Sequence, residues 1–301
     1  MNPTSLHRTL AGCGTALVTP FTPAGLIDES ALRAFVEWQV QEGVHFVVPC
    51  GSTGEAVTLT PAEHRRVIEI TVEQVAGRVP VMAGAGSNDT AKAIQLSKEA
   101  HAAGATHLLH VTPMYNKPPQ RALMAHFRAI ADACPLPIVL YNVPGRTAVN
   151  LEPKSCLELA QDPRFIGVKE ASGSMDQIAT IIRERPDGFA VFSGDDGLTL
   201  AVMAHGGDGI ISVASNAVPR LLVALCGAMT RGDLAEARRL DAQLAPVVSA
   251  AFIESNPIPV KAMLHRMGRM SNTLRAPLVP LAEQHGALID RVLQAAGALP
   301  G

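Results

Sequence analysis

The chain alternates eight short apolar runs with amphipathic stretches, and this alternation limits the possible folds more than any other feature. The runs have strand length and occupy 15–18, 44–49, 79–83, 106–111, 137–141, 165–169, 189–193 and 209–213. Between them, apolar residues recur every three to four positions, which is typical of helices. Because apolar strands separated by helices form parallel sheets, eight such units predict a (β/α)8 TIM barrel.

The strand pattern ends near residue 230, and the remaining chain is predicted to be helical. Helical patterns cover 233–250, 257–267 and 278–296, with no low-complexity linker before them. We therefore expect a barrel with the active site over residues 1–232 and a C-terminal helical subdomain over 233–301. Helix starts are marked by Asp28 as an N-cap and by a capping box at Thr60-Pro61-Ala62-Glu63.

Composition indicates a soluble cytoplasmic protein. The formal net charge of -2 gives no basic surface for nucleic acid or an anionic membrane. The N-terminal residues lack the apolar core of a signal peptide, and no run approaches the ~20 apolar residues of a membrane span. The five cysteines form no CxxC pair, which favours free thiols in a reducing compartment.

Lys169 ends the sixth apolar run, where an amine at the end of a buried strand is costly. Burial disfavours the ammonium form and lowers the pKa of the amine. A lysine with such a pKa attacks carbonyl compounds and forms a Schiff base. The alternative is a lysine whose stem packs while its head reaches solvent. The residues near Lys169 decide between the two.

Polar residues follow several of the predicted strands at their C-terminal ends, where TIM barrels place their active sites. The loop 50–55 combines glycines with Ser52 and Thr53, and it suits a carboxylate or phosphate unless it is an ordinary glycine-rich turn. Arg146 offers a guanidinium fork for a substrate carboxylate, with a surface salt bridge as the alternative.

Both tyrosines of the chain, Tyr115 and Tyr141, also fall at these strand ends. A phenol near an amine can act as general acid and base during imine formation. A half-buried interface aromatic is the alternative interpretation for each.

The other candidate motifs do not predict a metal or a cofactor. The histidines near one another in sequence have no ligand spacing, and these are His101, His107 and His110. Asp195-Asp196 follows a strand and precedes a helix, so an N-cap is expected there. Residues 84–88 lack the third glycine of a dinucleotide motif, and no phosphate-binding P-loop occurs. We therefore expect side-chain chemistry without a cofactor.

Five motifs in chain order resemble the dihydrodipicolinate synthase / N-acetylneuraminate lyase superfamily. They are GSTGE at 51–55, YNVPGRT at 141–147, IGVKEA at 166–171, SGDD at 193–196 and NPIPVK at 256–261. The resemblance runs over nearly the whole chain. It implies a (β/α)8 barrel with C-terminal helices, a homotetramer made as a dimer of tight dimers, and a pyruvate Schiff base on Lys169.

The YNVPGRT segment is similar to the synthases of this superfamily, which join pyruvate to aspartate semialdehyde in the diaminopimelate route to lysine. The resemblance implies that Tyr141 donates and accepts protons. It also implies that Ser52 and Tyr115 complete a proton relay, with Tyr115 reaching into the neighbouring subunit's site.

The same resemblance assigns the substrate contacts. Thr53 and the backbone at Ile211 hold the pyruvate carboxylate, Gly194 lines the pocket, and Arg146 holds the carboxylate of the second substrate. Two positions depart from the synthase pattern. Ser52 stands where the synthases usually have threonine, as in the lyase branch, and Met114 stands where they often have a second tyrosine.

Two alternative functions remain open from the sequence. One is an aldolase or dehydratase of the same superfamily that acts on a 2-oxo acid, such as 4-hydroxy-2-oxoglutarate, a keto-deoxy sugar acid or N-acetylneuraminate. The other is a non-catalytic relative that binds a keto acid. The set of Lys169, Tyr141, Tyr115 and a relay hydroxyl argues against a simple binder, and Arg146 favours the synthase.

Overall fold

The computed structural model describes residues 10–300, and eight parallel strands form a barrel at its centre. The strands are β1 Gly12–Ala16, β2 Phe46–Val48, β3 Met82–Gly84, β4 His107–Val111, β5 Ile138–Asn142, β6 Phe165–Glu170, β7 Ala190–Ser193 and β8 Gly209–Ser212. They pair in the order β2-β1-β8-β7-β6-β5-β4-β3. A parallel bridge between Val47 and Val81 joins β2 to β3 and closes the barrel.

One helix follows each strand and packs on the outside of the barrel. These helices are α1 Glu29–Gln41, α2 Pro61–Val75, α3 Thr90–Ala102, α4 Gln120–Ala133, α5 Pro153–Ala160, α6 Met175–Glu184, α7 Thr199–Ala204 and α8 Pro219–Thr230. A single helical turn, Pro144–Thr147, precedes α5. The predicted (β/α)8 architecture is therefore confirmed.

The predicted helix starts are confirmed by their hydrogen bonds. Asp28 Oδ1 accepts from the Ala31 N–H at 2.9 Å. At α2, the Thr60 hydroxyl accepts from the Glu63 N–H at 3.3 Å, while the Glu63 carboxylate accepts from the Thr60 N–H at 2.9 Å. These reciprocal bonds satisfy backbone donors that a helix leaves unpaired at its first turn.

The first strand begins earlier than predicted. It starts at Gly12 rather than at residue 15. In the sequence Gly12 and Gly14 resemble turn residues, whereas in the structure they belong to the strand and allow neighbouring side chains to approach closely. A Cβ on Gly14 would lie 2.0 Å from the ring of Phe46, so only glycine leaves space for that ring inside the barrel. Phe46 in turn meets Phe192 edge-on, with ring centroids 5.5 Å apart. The barrel interior is a packed core, as the fold requires.

Three helices follow the barrel, namely α9 Leu234–Ala251, α10 Ile258–Arg266 and α11 Gly286–Ala295. Val260 and Leu264 of α10 pack into the apolar layer between the barrel and its helices. The C-terminal end of α9 lies over the mouth of the barrel, where Val248 and Phe252 line the cavity described below. The helical segment thus covers part of the site.

The proposed division into residues 1–232 and 233–301 stays a prediction, and residues 1–9 and 301 within it lie outside the described part.

The five cysteines are buried free thiols, as predicted. Within residues 10–300, no helix combines the length and apolarity needed to cross a membrane.

Candidate active site

A cavity of about 570 Å³ opens at the C-terminal ends of the strands. Six of the predicted site residues line it, and these are Ser52, Thr53, Tyr141, Arg146, Lys169 and Gly194. They come from the ends of β2, β5, β6 and β7, so the parallel sheet alone brings them together. This is the position at which barrel enzymes carry their chemistry.

Lys169 lies in the wall of this cavity and is only 5% exposed. Burial lowers the pKa of its amine to about 8, with Asp196 opposing the change and Arg146 adding to it. Its Nζ lies 4.4 Å from the centroid of the Tyr141 ring. At neutral pH roughly one such amine in ten is unprotonated, which is far more than for a free lysine. The structure therefore gives Lys169 the properties of a nucleophile.

Tyr141 stands opposite Lys169 in the pairing of β5 with β6. Burial raises the pKa of its phenol to about 12, although the nearby charge of Arg146 acts in the other direction. The phenol is therefore protonated at neutral pH. It can donate a proton to an oxygen that leaves or forms beside the Lys169 amine.

Gly194 leaves the space in which the Lys169 side chain lies. A Cβ at this position would lie 2.7 Å from the Cβ of Ala171 and 3.1 Å from the Cε of Lys169. Contacts that short are not tolerated beside backbone-anchored atoms, so any larger residue would displace the lysine or its neighbour. The glycine therefore lines the pocket next to the amine.

Arg146 is exposed at the cavity, and residues 10–300 offer it no acidic partner. Among the same residues, the only hydrogen bond of its side chain is from Nη2 to the carbonyl oxygen of Asn256, at 3.4 Å. The surface salt bridge considered from the sequence is therefore absent from the described part of the chain. A guanidinium with unused donors in a cavity suits a ligand carboxylate.

The loop that carries Ser52 and Thr53 is held by a buried ion pair that the sequence analysis missed. Glu55 Oε1 accepts from Lys261 Nζ at 2.7 Å, and both side chains are almost fully buried. Lys261 also donates to the carbonyl of Thr19 at 3.0 Å. The available signal was a lysine inside an otherwise apolar helix, because such a group needs a buried partner.

The expectation for Asp195-Asp196 is half correct. Asp195 caps the short helical turn after β7, accepting from the Gly197 N–H at 2.9 Å. Asp196 instead is buried, and its carboxylate accepts a hydrogen bond from the Ser212 hydroxyl. It also accepts from the Val213 N–H at 3.0 Å and from the Ala214 N–H at 3.2 Å. A capping role for Asp196 is wrong because the end of β8 offers it three donors.

Two predicted residues do not line the cavity. Ile211 is fully buried in the apolar layer beneath it, while Val213, two residues further along, reaches the wall. Tyr115 is 89% exposed and has a positive φ of 75°, which is strained for a bulky residue. Its N–H donates to the Thr147 carbonyl at 3.2 Å, so the backbone is fixed while the ring projects into solvent.

Residues 10–300 contain no cluster of three or more side chains suited to a metal ion.

A (β/α)8 barrel with a buried lysine amine at its mouth is the arrangement found in enzymes that form a Schiff base on a barrel lysine, and this protein has that arrangement. A family model described as the Dihydrodipicolinate synthetase family matches residues 9–296, nearly the whole chain. The chain belongs to this family.

Similar proteins agree with this membership. The chain is 50% identical to a 4-hydroxy-tetrahydrodipicolinate synthase of Nitratidesulfovibrio vulgaris, over 95% of this chain and 98% of that one. It is 49% identical to the enzyme of the same name from Koribacter versatilis, over 96% and 97% of the two chains. The structure also matches a dihydrodipicolinate synthase of Acinetobacter baumannii complexed with pyruvate, with a TM-score of 0.94, 40% identity and coverage of 96% and 99%.

Proposed function

We propose that the chain is an enzyme that condenses pyruvate with aspartate semialdehyde, which is the reaction of 4-hydroxy-tetrahydrodipicolinate synthases in the diaminopimelate route to lysine. The observation that carries the proposal is one cavity holding a buried amine with a pKa of about 8 and a guanidinium that has no acidic partner in the described part of the chain. The amine suits a keto acid, and the guanidinium suits the carboxylate of a second substrate.

The first half-reaction forms the Schiff base. The neutral amine of Lys169 attacks the keto carbon of pyruvate, and the carbinolamine then loses water to give an imine. Tyr141 supplies the proton that the departing hydroxyl needs, because its own pKa of about 12 keeps it protonated. Thr53 holds the pyruvate carboxylate, with Gly194 beside it. The contact from the backbone at Ile211 stays a prediction, because that residue lies beneath the cavity.

The second half-reaction makes the carbon–carbon bond. The Tyr141 phenolate left by the first half-reaction takes a proton from the pyruvate methyl group, which gives an enamine. The enamine carbon attacks the aldehyde carbon of the second substrate. The aldehyde oxygen takes a proton from the relay of Tyr141, Ser52 and Tyr115. The amino group of the second substrate then attacks the imine carbon, which closes the ring and releases Lys169. One water is lost overall.

We also propose that Tyr115 serves the site of a second copy of this chain. An exposed tyrosine on a strained, hydrogen-bonded backbone is poorly explained by solvent contact alone, and a partner surface would bury its ring. The assembly we propose is a homotetramer built as a dimer of tight dimers. The cytoplasmic location stays a prediction.

A panel assay with borohydride trapping tests this function. Pyruvate with aspartate semialdehyde should give the cyclic product, and the rate should exceed pyruvate release from 4-hydroxy-2-oxoglutarate, a keto-deoxy sugar acid and N-acetylneuraminate. Borohydride with pyruvate should inactivate the protein and leave one reduced pyruvate per chain, at Lys169. Faster release from any of the three acids would favour an aldolase, and an adduct elsewhere would contradict the Schiff-base mechanism.

A further inference from the structure

The register that places Tyr141 beside Lys169 places Asn142 beside Glu170 one residue further along the same strands. Successive side chains of a strand point to opposite faces. Tyr141 and Lys169 face the cavity, so Asn142 and Glu170 point away from it, among the loops that surround the barrel. Both are buried, and Glu170 is only 1% exposed.

Asn142 closes the base of the segment that carries Arg146. The Asn142 Oδ1 accepts from the Leu151 N–H at 2.9 Å, and its Nδ2 donates to the Asn150 Oδ1 at 2.8 Å. The chain thus leaves the barrel at Asn142, forms the helical turn with Arg146 and returns to the same side chain. The position of the Asn142 amide therefore controls where that turn lies.

Glu170 and the Leu151 N–H together fix which way round the Asn142 amide lies. A carboxylate only accepts hydrogen bonds, so the amide must present its Nδ2, which lies 3.1 and 3.3 Å from the two carboxylate oxygens. The Oδ1 is then left to accept from Leu151. Gln177 Nε2 at 2.9 Å and the Ser172 N–H at 2.7 Å supply the other donors.

Glu170 is also buried without a positively charged partner in the described part of the chain. Within residues 10–300, Glu170 forms no ion pair with a lysine or arginine, and its donors are all neutral amide groups. A buried carboxylate without a cation is expensive to maintain. A neutral glutamine would fill the same space, but its NH₂ group would oppose one set of the donors that the two carboxylate oxygens now accept, and so would weaken the hold on the Asn142 amide.

We propose that Glu170 is a positioning residue for the second substrate. Through Asn142 it sets the distance between Arg146 and the Schiff base, and hence the affinity for the carboxylate of aspartate semialdehyde. This inference rests on the proposed function. Because Glu170 lies on the opposite face of its strand from the cavity, imine formation with pyruvate does not depend on it.

The test is the Glu170→Gln variant, in which an NH₂ group opposes the amide donors around it. We expect the KM for aspartate semialdehyde to rise about 10-fold or more, with kcat much less affected. The rate of borohydride trapping with pyruvate should stay within about twofold of the wild type. Glu152→Gln, on an exposed residue of the same segment, is the matched control and should change neither quantity.

A double-mutant cycle separates positioning from general damage. In an Arg146→Ala background, adding Glu170→Gln should cost less than about twofold in kcat/KM, because the group that it positions is already gone. An undiminished cost there, or an equal loss of pyruvate trapping, would overturn the proposal. Asn142→Ala should give the same selective loss and replaces Glu170→Gln in the cycle if that variant does not fold. Wild-type protein that does not use aspartate semialdehyde would instead refute the proposed function.

Discussion

Burial acts in opposite directions on the two groups that face each other at the barrel mouth. It lowers the pKa of the Lys169 amine to about 8 and raises the pKa of the Tyr141 phenol to about 12. In both cases the neutral form is favoured, because a low-dielectric surrounding penalises charge. The same environment therefore favours, in both groups, the neutral forms that the proposed nucleophile and proton donor require.

The pH dependence of pyruvate trapping follows from the lysine. Its pKa is lowered, so the reactive neutral amine reaches half of the total near pH 8 and about nine-tenths one pH unit higher. We expect the trapping rate to increase about tenfold per pH unit below the midpoint and to level off above it. A midpoint near 10 would mean that Lys169 is not desolvated. Lys169→Ala, measured across the same range, gives the background.

At the scale of elements, the alternating pattern predicts all eight strands because each is buried on both faces and therefore continuously apolar. The same rule places the strand-end residues in one cavity before any distance is known. The pattern does not predict the extension of β1 to Gly12, because a glycine that makes room for Phe46 resembles a turn residue. Nor can it pair Glu55 with Lys261, which only the closed barrel brings together.

The buried pair between the loop after β2 and helix α10 can be tested by Lys261→Met. Removing one partner leaves Glu55 buried without its cation, which typically costs about 3–5 kcal/mol in the free energy of unfolding. Adding Glu55→Gln should recover part of this loss. The exposed pair Arg128–Glu158 is the control, because Arg128→Met should cost about 1 kcal/mol or less. Urea denaturation of the four proteins measures these differences, and equal losses at both pairs would contradict a structural role for the buried one.

The cavity of a single chain holds only some of the groups that we propose for catalysis. It contains Lys169, Tyr141 and Ser52, but Tyr115 does not line it and is exposed to solvent. The sequence places Tyr115 at a strand end, and only the structure reveals that its ring is exposed. The remaining group of the relay must therefore come from another copy if Tyr115 takes part.

Subunit complementation tests this arrangement. Tyr115→Phe and Lys169→Ala chains should each have little activity alone. In a mixed tight dimer, one site combines an intact Lys169 with an intact Tyr115 from the partner, and the other site has both defects. An equal mixture of re-formed dimers should then recover about a quarter of the wild-type activity. If mass spectrometry verifies the hybrids and no activity returns, Tyr115 acts in its own subunit or not at all.

The bond between Glu55 and Lys261 also sets an order of events during synthesis. The two residues are 206 positions apart, and the Arg275 N–H that donates to the other oxygen of Glu55 is 220 positions away. At ~5–20 residues per second, the ribosome adds Lys261 roughly 10–40 s after Glu55. Throughout that interval the nascent barrel lacks the Lys261 partner of Glu55, so the loop with Ser52 and Thr53 acquires this anchor only after all eight barrel units have been synthesised.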